Sequence, residues 1–274
     1  MELLNDGKLA HLTSGQQDVM KMRVSAKEII FAYHKEPVIR GVNLRIEPSE
    51  ILGIVGPNGS GKTTILKCIN RILKPRSGQI LIDGRDIAEM KRLDISKQIG
   101  YVPQNSDGGY GSPTVFEMVL MGRRPHATWT SGRKDKNRVW EVLSSMNLEK
   151  FAARRFDELS GGERQKVMIA RALAQETRIL LLDEPTNNLD IKHQTDVMNL
   201  LRDLADRQGF SVCTVIHNLD LAVKYCDRTV LMHRGRVFAS GPTSQVITAG
   251  NIRSVYGVDI IIDHSYGRPH VVVV

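Results

Sequence analysis

Residues 51–63 read ILGIVGPNGSGKT, and this stretch decides the fold of the chain. Residues 51–55 are continuously apolar, which is typical of a strand that is covered on both faces of a parallel sheet. The glycine-rich residues 56–63 follow directly, and helical spacing comes next, at Ile65, Ile69, Ile72 and Leu73. Strand, glycine loop and helix in this order predict a phosphate-binding loop in an α/β protein.

The loop contains the groups that bind a nucleoside triphosphate. Its glycines let backbone amides wrap the phosphates, Lys62 reaches the outer phosphates, and the Thr63 hydroxyl can bind Mg²⁺. The alternative is a glycine-rich turn without a ligand, which the flanking strand and helix disfavour. The candidate nucleotide-binding residues are Gly56, Pro57, Asn58, Gly59, Ser60, Gly61, Lys62, Thr63 and Thr64.

A second apolar run, at residues 179–182, ends in two acids, Asp183 and Glu184. The first carboxylate can hold Mg²⁺, and the second can orient or deprotonate a water molecule. A solvated acidic turn is the alternative for any lone Asp-Glu pair. The phosphate loop in the same chain favours the catalytic interpretation.

Another helix end that can face phosphate is predicted at residues 159–163, which read LSGGE. Two glycines after a serine, followed by the helical residues 163–173, indicate a bare helix N-terminus. Its amides and positive dipole end can meet an anion. The candidate anion-binding residues here are Ser160, Gly161 and Gly162.

The rest of the chain alternates between strand and helix signals. Residues 42–46 alternate apolar and polar, residues 80–85 end in an Asp-Gly turn typical of antiparallel strands, and residues 211–216 and 229–232 continue the sheet. Residues from about 110 to 175 contain two amphipathic helices and little strand signal. We expect an α/β fold with a mixed sheet, an antiparallel β subdomain and an inserted helical subdomain.

Three segments are expected along the chain. Residues 1–22 form a polar, flexible N-terminal arm, residues 23–245 form the nucleotide-binding domain, and residues 246–274 form a C-terminal extension with strands at 259–262 and 271–274. Two histidines and an aspartate in this extension fit no metal-ligand spacing and are expected to be solvated; they are Asp263, His264 and His270.

Composition limits the class of protein. The chain has 274 residues, of which 41% are hydrophobic and 25% charged, so it can form a sizeable core. The net charge of +8 is compatible with binding to nucleic acid, anionic lipid or phosphate ligands. Aromatic residues make up only 5% of the chain, and no base-stacking pattern accompanies the charge. No nucleic-acid partner is therefore expected. The three cysteines are widely spaced and predicted to be buried thiols, which favours the cytosol. No apolar run approaches the roughly 20 residues of a membrane span.

Two polar residues stand where ligands bind in α/β proteins. Gln104 follows a short strand and precedes the glycine-rich residues 105–111, and His217 follows the strand at 212–216. Each can be an ordinary loop or core residue, but strand ends in an α/β sheet are where ligands bind.

Taken together, these motifs resemble the ATP-binding cassette family of ATPases, specifically the nucleotide-binding subunits of ABC transporters, over residues from about 24 to 245. The resemblance implies a P-loop NTPase fold in which residues 56–63 are the Walker A loop and residues 179–183 the Walker B strand. It also implies that Asp183 is a metal ligand and that Glu184 is the catalytic carboxylate.

The same resemblance assigns the remaining site residues. Gln104 is the Q-loop glutamine, with roles in catalysis and Mg²⁺ binding, and His217 is the catalytic switch histidine. Asp190 is the D-loop aspartate beside the nucleotide, and residues 159–163 are the family signature. Tyr33 stands where the family places an aromatic side chain that stacks on adenine, although a strand-edge tyrosine is the alternative.

Two departures from the family pattern are visible. Glu163 stands where many members have Gln, and Asn187-Asn188 stand where many have Ser-Ala. Both are near-isosteric polar changes and are expected to lie outside the phosphate contacts.

Residues 122–126 read GRRPH and resemble a Gly-Arg-x-Pro-His phrase in the ATPases of importers for iron chelates, haem and cobalamin. The alternative is ordinary helix-ending chemistry, in which Gly122 ends a helix, Pro125 stops it and the basic residues are solvated.

The resemblance implies an ATP- and Mg²⁺-dependent ATPase that powers import of a metal chelate or cofactor. Two copies would bind two ATP molecules head to tail, each held by Lys62 and Thr63 of one chain and by Ser160 and Gly162 of the other. Further expected partners are membrane permease subunits and, indirectly, an extracytoplasmic substrate-binding protein, which places the chain peripherally at the cytoplasmic face of the membrane. The alternative is a soluble single-cassette ATPase without a transport role, for example in iron-sulfur assembly.

Overall fold

The computed structural model describes residues 23–104, 113–126, 132–265 and 269–274, and it has the expected α/β architecture. The described strands are β1 (Val24–Phe31), β2 (Ile39–Ile46), β3 (Ile51–Val55), β4 (Ser77–Ile82), β5 (Arg85–Asp86), β6 (Ile99–Val102), β7 (Ile179–Asp183), β8 (Ser211–Val215), β9 (Arg228–His233), β10 (Arg236–Pro242), β11 (Ile260–Asp263) and β12 (His270–Val273). The described α-helices are α1 (Lys62–Ile69), α2 (Arg92–Ser96), α3 (Val115–Leu120), α4 (Arg133–Ser145), α5 (Gly161–Ala174), α6 (Ile191–Gln208), α7 (Leu219–Tyr225), α8 (Thr243–Val246) and α9 (Ala249–Tyr256). The predicted arm at residues 1–22 and the glycine-rich residues 105–111 lie outside the described ranges.

A mixed sheet of six strands, in the order β10-β9-β3-β8-β7-β6, carries the site. Its strands run parallel except for β10, which pairs antiparallel with β9. Every residue of β3, β7 and β8 is buried, as their apolar sequences predict. Val215 pairs with both Ile54 and Asp183, so the register brings the loops after β3, β7 and β8 to one edge of the sheet.

The predicted antiparallel β subdomain is a sheet of four strands in the order β2-β1-β4-β5. Its β4–β5 turn has positive φ at both central residues, 44° at Asp83 and 78° at Gly84. An Asp-Gly pair tolerates these angles, and the twist of such a turn matches that of the flanking strands. The antiparallel hairpin expected from the sequence is therefore present.

Two details differ from the expectation. Helix α1 ends at Ile69 and does not continue to Leu73, because Arg71 adopts φ of 52° and reverses the chain, leaving Ile72 51% exposed. The sequence shows no clear strand pattern for β10, because its residues are only half-buried or exposed and include a glycine and a proline.

The helical part packs against one face of the six-stranded sheet. Helices α3, α4 and α5 share a buried apolar cluster with α6, α7 and α9, while the opposite face packs on α1 and the antiparallel subdomain. Within the described ranges, no helix combines the length and the apolar character needed to cross a membrane.

Candidate nucleotide-hydrolysis site

The glycines of the phosphate loop are required by its backbone and by its neighbours. Gly56 has φ of 151°, and a Cβ atom there would lie 2.3 Å from the carbonyl oxygen of Met232. Gly59 has φ of 76° and faces open space, with nothing within 4 Å of the corresponding Cβ position. The loop is thus packed against the sheet on one side and open to a ligand on the other.

Two buried polar groups lie in this loop. The Lys62 ammonium donates hydrogen bonds to the carbonyl oxygens of Gly56 and Pro57, at 2.9 and 3.0 Å. Burial lowers the pKa of Lys62, and the nearby carboxylates of Glu184 and Asp183 oppose that shift. The Ser60 hydroxyl is buried without a hydrogen-bond partner among the described residues. Both groups fit a loop that encloses phosphate oxygens.

Asp183 ends the buried strand β7 and faces the start of α1. Its carboxylate accepts hydrogen bonds from the Thr63 hydroxyl, at 2.7 Å, and from the Tyr101 hydroxyl, at 3.4 Å. Burial raises the pKa of Asp183, and the adjacent Glu184 raises it further, while Thr63 and Tyr101 lower it. Sequence reasoning missed Tyr101, which lies in the preceding strand β6, 82 residues from Asp183, and carries no local signal.

Glu184 follows Asp183 with φ of 54° and is the centre of a polar cluster. Its carboxylate accepts hydrogen bonds from the Gln104 amide, at 2.5 Å, and from the Asn187 amide, at 3.1 Å, and it contacts His217 Nε2. The structure thus brings together three predicted residues from three different strand ends. It also adds Asn187, for which the sequence predicted only a place outside the phosphate contacts.

Tyr33 lies beside α1. Its ring packs edge-on against Phe31, with 4.9 Å between ring centroids, and its hydroxyl lies 3.4 Å from the Thr64 hydroxyl. The side chain is 53% exposed, so one face remains open to a planar ligand.

The helix end at residues 160–163 is not bare, contrary to the expectation. Ser160 Oγ accepts a hydrogen bond from the amide of Glu163, at 3.3 Å, and the Glu163 carboxylate accepts from the Ser160 amide and hydroxyl, each at 2.9 Å. These bonds form a capping box, which stabilises the first turn of α5. They also lower the pKa of Glu163, so a negative charge lies at this helix end.

Residues 160–162 pack on the start of α6 and not on the phosphate loop. A Cβ atom at Gly162 would lie 2.1 Å from the His193 ring, and one at Gly161 would lie 3.4 Å from Leu189. Asp190 caps α6 by accepting from the His193 amide, at 2.8 Å, and its carboxylate lies 2.8 Å from His193 Nδ1. Sequence reasoning missed His193. The candidate residues therefore fall into two clusters, one around Lys62 and Glu184 and one around Ser160 and Asp190.

The phrase at residues 122–126 forms a buried joint. Arg123 is only 2% exposed and donates hydrogen bonds to Asp135, at 3.0 Å, and to Glu176, at 2.7 Å. A Cβ atom at Gly122 would lie 2.1 Å from the carbonyl oxygen of Arg171. The alternative in which these basic residues are solvated is therefore wrong for Arg123.

The sequence of this chain is similar to those of known ATP-binding proteins. A family profile described as ABC transporter matches residues 39–187. An uncharacterised ABC transporter ATP-binding protein of Methanocaldococcus jannaschii is 45% identical over 92% of this chain and 98% of that protein. The petrobactin import ATP-binding protein FpuC of Bacillus anthracis is 36% identical over 90% of this chain and 91% of that protein.

The solved structures that are similar to this chain also come from ABC transporters. A chain from a transporter described as metal-chelate type, in an inward-facing conformation, superposes with a TM-score of 0.82 at 30% identity, over 93% of this chain and 98% of that one. A dimeric ATP-binding cassette with bound ADP and phosphate gives a TM-score of 0.70 at 31% identity, over 80% of this chain and 98% of that one. The chain therefore belongs to the ABC transporter family, as an ATP-binding subunit that hydrolyses ATP.

Proposed function

We propose that this ATPase powers import of a metal chelate or a cofactor of the iron-siderophore, haem or cobalamin class through a separate membrane permease. The observation that carries the catalytic part of this proposal is the cluster in which Glu184 meets Gln104, Asn187 and His217. It lies at the sheet edge that also bears the phosphate loop.

Each residue of the nucleotide cluster is given one role. Lys62 binds the outer phosphate oxygens, and Tyr33 stacks on the adenine. Glu184 orients the attacking water and accepts its proton, while His217 contacts the γ-phosphate. Through its contact with Glu184, Gln104 couples nucleotide binding to movement of the helical subdomain.

The donor set also fits a magnesium ion. The Thr63 hydroxyl and the Asp183 carboxylate are 2.7 Å apart and would hold the ion, and the side-chain amide oxygen of Gln104 would be a further ligand. Within the described residues, no group of three or more His, Cys, Asp or Glu side chains is arranged to hold a metal alone. Such a sparse set of oxygen ligands is typical of Mg²⁺, which takes its other ligands from phosphates and water. When bound, the ion neutralises charge on the β- and γ-phosphates.

Two copies are proposed to complete each site. The cluster of Ser160, Gly162 and Asp190 packs apart from Lys62 in the same chain, so it is available to a nucleotide held by a partner. A head-to-tail pair with two-fold symmetry satisfies both clusters at once. The dimeric cassette solved with ADP and phosphate supports this arrangement.

The cargo class and the other partners follow from the relatives. FpuC is named for petrobactin import, and the transporter with the similar chain is described as metal-chelate type. An ATPase of this kind works with permease subunits at the cytoplasmic face of the membrane, and a substrate-binding protein delivers the cargo from outside. Similarity to importers disfavours a soluble cassette without a transport role.

Replacing Glu184 with Gln tests the catalytic proposal. Loss of the proton acceptor is expected to slow hydrolysis by about 100-fold or more, while ATP binding is retained. Steady-state phosphate release and equilibrium binding of ATP measure the two effects. Glu141→Gln, at an exposed site on α4, is the matched control and should behave like the original protein. Undiminished hydrolysis in Glu184→Gln would refute the assignment.

Purification from native membranes tests the transport proposal. The tagged chain is captured after detergent extraction, and the co-purifying proteins are identified. A multi-span permease supports the proposal, whereas a purely soluble set of partners contradicts it. Reconstitution of the complex in vesicles then shows which chelate, delivered by its binding protein, stimulates ATP hydrolysis.

A further inference from the structure

Helix α7 begins two residues after His217 and is held at its start by a side chain from the same junction. Asn218 Oδ1 accepts hydrogen bonds from the amides of Asp220, at 2.9 Å, and of Leu221, at 3.4 Å. A helix of seven residues is marginal by itself and depends on tertiary contacts for its position. An interaction that holds the first turn of α7 in place therefore also holds the backbone at His217 in place.

The C-terminal hairpin makes such a contact. Asp220 Oδ1 accepts a hydrogen bond from the backbone amide of Val271 in β12, at 3.2 Å, and lies 3.4 Å from His270 Nδ1. Asp220 Oδ2 accepts from Lys224 of its own helix, at 2.7 Å. Burial raises the pKa of Asp220, but the bonds from Lys224 and Val271 and the nearby His270 lower it more, so the carboxylate is charged.

The segment that carries this hairpin is anchored to the same core. Ile252 and Val255 of α9 share the buried cluster that contains Leu221 and Ala222 of α7. At the end of α9, the Tyr256 hydroxyl is also buried, and it has no hydrogen-bond partner among the described residues. Helix α9 and strand β12 therefore both pack against the helix after His217.

We propose that Asp220 is a positioning residue, through which strand β12 holds α7 and thereby sets the position of His217 against Glu184. This inference rests on the catalytic role proposed for His217. The C-terminal segment then acts on catalysis by positioning His217. Misplacement of a catalytic group by about 1 Å is enough to slow a reaction up to about 100-fold.

Substitution of Asp220 separates this role from simple helix stability. Asp220→Ala removes the link to Val271 and the pair with Lys224, whereas Lys224→Ala removes only the pair within the helix. We expect kcat for ATP to fall about tenfold in Asp220→Ala, with KM changed less than about twofold, because Lys62 and the phosphate loop supply most of the binding to the nucleotide. Lys224→Ala should stay within about twofold of the original protein in both constants.

A conservative variant and a spectroscopic measurement complete the test. Asp220→Asn keeps an oxygen that accepts from Val271 and should restore most of the kcat. In the full-length protein, the ring-nitrogen NMR shifts of His217 should move in Asp220→Ala and remain in place in Lys224→Ala. The NMR result depends on the position of His217 and not on its catalytic role.

Three results would overturn the inference. Lys224→Ala could lower kcat as much as Asp220→Ala, the His217 shifts could stay unchanged in Asp220→Ala, or Asp220→Ala could slow His217→Ala by the same factor as it slows the original protein. Full hydrolysis by His217→Ala alone would instead refute the role proposed for His217. The two proposals therefore fail in distinguishable ways.

Discussion

At the scale of single residues, Glu163 determines the charge at the signature helix. Its carboxylate accepts hydrogen bonds from the Ser160 hydroxyl and from the Ser160 amide, and both bonds lower the pKa of Glu163. The helix end that is proposed to meet a partner's nucleotide therefore already holds a negative charge. Phosphate must approach this carboxylate and compete with it for the Ser160 hydroxyl.

Neutralising that charge should tighten the ATP-dependent dimer. Glu163→Gln keeps the length of the side chain and removes the charge, which is worth about two- to fivefold in affinity at a helix N-terminus. The measurement is the ATP concentration that gives half-maximal dimer by gel filtration, in a Glu184→Gln background where hydrolysis is slow. Glu158→Gln, at a nearby exposed site, is the control. An increase in the required ATP would mean that the carboxylate supports the dimer.

At the scale of elements, the sequence predicts the features that depend on strand order and on local sequence pattern. The apolar runs of β3, β7 and β8 imply a buried parallel sheet, and the ends of parallel strands share one edge, so Lys62, Glu184 and His217 were expected together. The contacts of Tyr101 with Asp183 and of Gly162 with His193 depend on packing between elements far apart in the chain, for which a single sequence has no local signal.

The joint at Arg123 shows the same limit. Helix-ending chemistry at residues 122–126 is local, and it suggested solvated basic side chains. The partners that bury Arg123 come from α4 and from the residues just after α5, 12 and 53 positions away. The neighbouring His126 ring contacts the carbonyl oxygen of Gln175, at 2.8 Å, and Gln175 donates to Ile99 of the sheet, at 3.2 Å. The phrase thus links the helical subdomain to the nucleotide-binding sheet.

Removing the Arg123 guanidinium should weaken this joint. Arg123→Met leaves Asp135 and Glu176 without their shared partner. Breaking a fully buried pair costs about 3–5 kcal/mol, and because the Glu176 side chain is 42% exposed, we expect the free energy of unfolding to fall by about 2–4 kcal/mol. Urea titration followed by circular dichroism measures the loss. Arg124→Met, at the exposed adjacent position, should change the value by less than about 0.5 kcal/mol. Equal effects of the two substitutions would show that the buried network adds nothing to stability.

At the scale of the whole molecule, the predicted boundary at residue 245 does not coincide with a break in the core. Side chains on both sides of it share one buried cluster, and those beyond it are nearly inaccessible: Val246 is 2% exposed, Ile247 and Ile252 0%, Val255 7% and Ile260 4%. Each such side chain contributes about 1.5–3 kcal/mol by burial, so the five together contribute on the order of 10 kcal/mol. This is comparable to the whole stability of an ordinary domain.

Two truncations should therefore behave differently. A chain that ends at Gln245 loses all five side chains, and we expect it to be unfolded or aggregated, as measured by thermal unfolding and gel filtration. A chain that ends at Val258 keeps α9 and four of the five, so it should fold and bind ATP, while its kcat falls about as far as that of Asp220→Ala because β12 is missing. A well-folded chain ending at Gln245 would contradict the shared core and would make the C-terminal segment a separate attachment. Full activity in the chain ending at Val258 would instead locate the contribution of the segment in α9 alone.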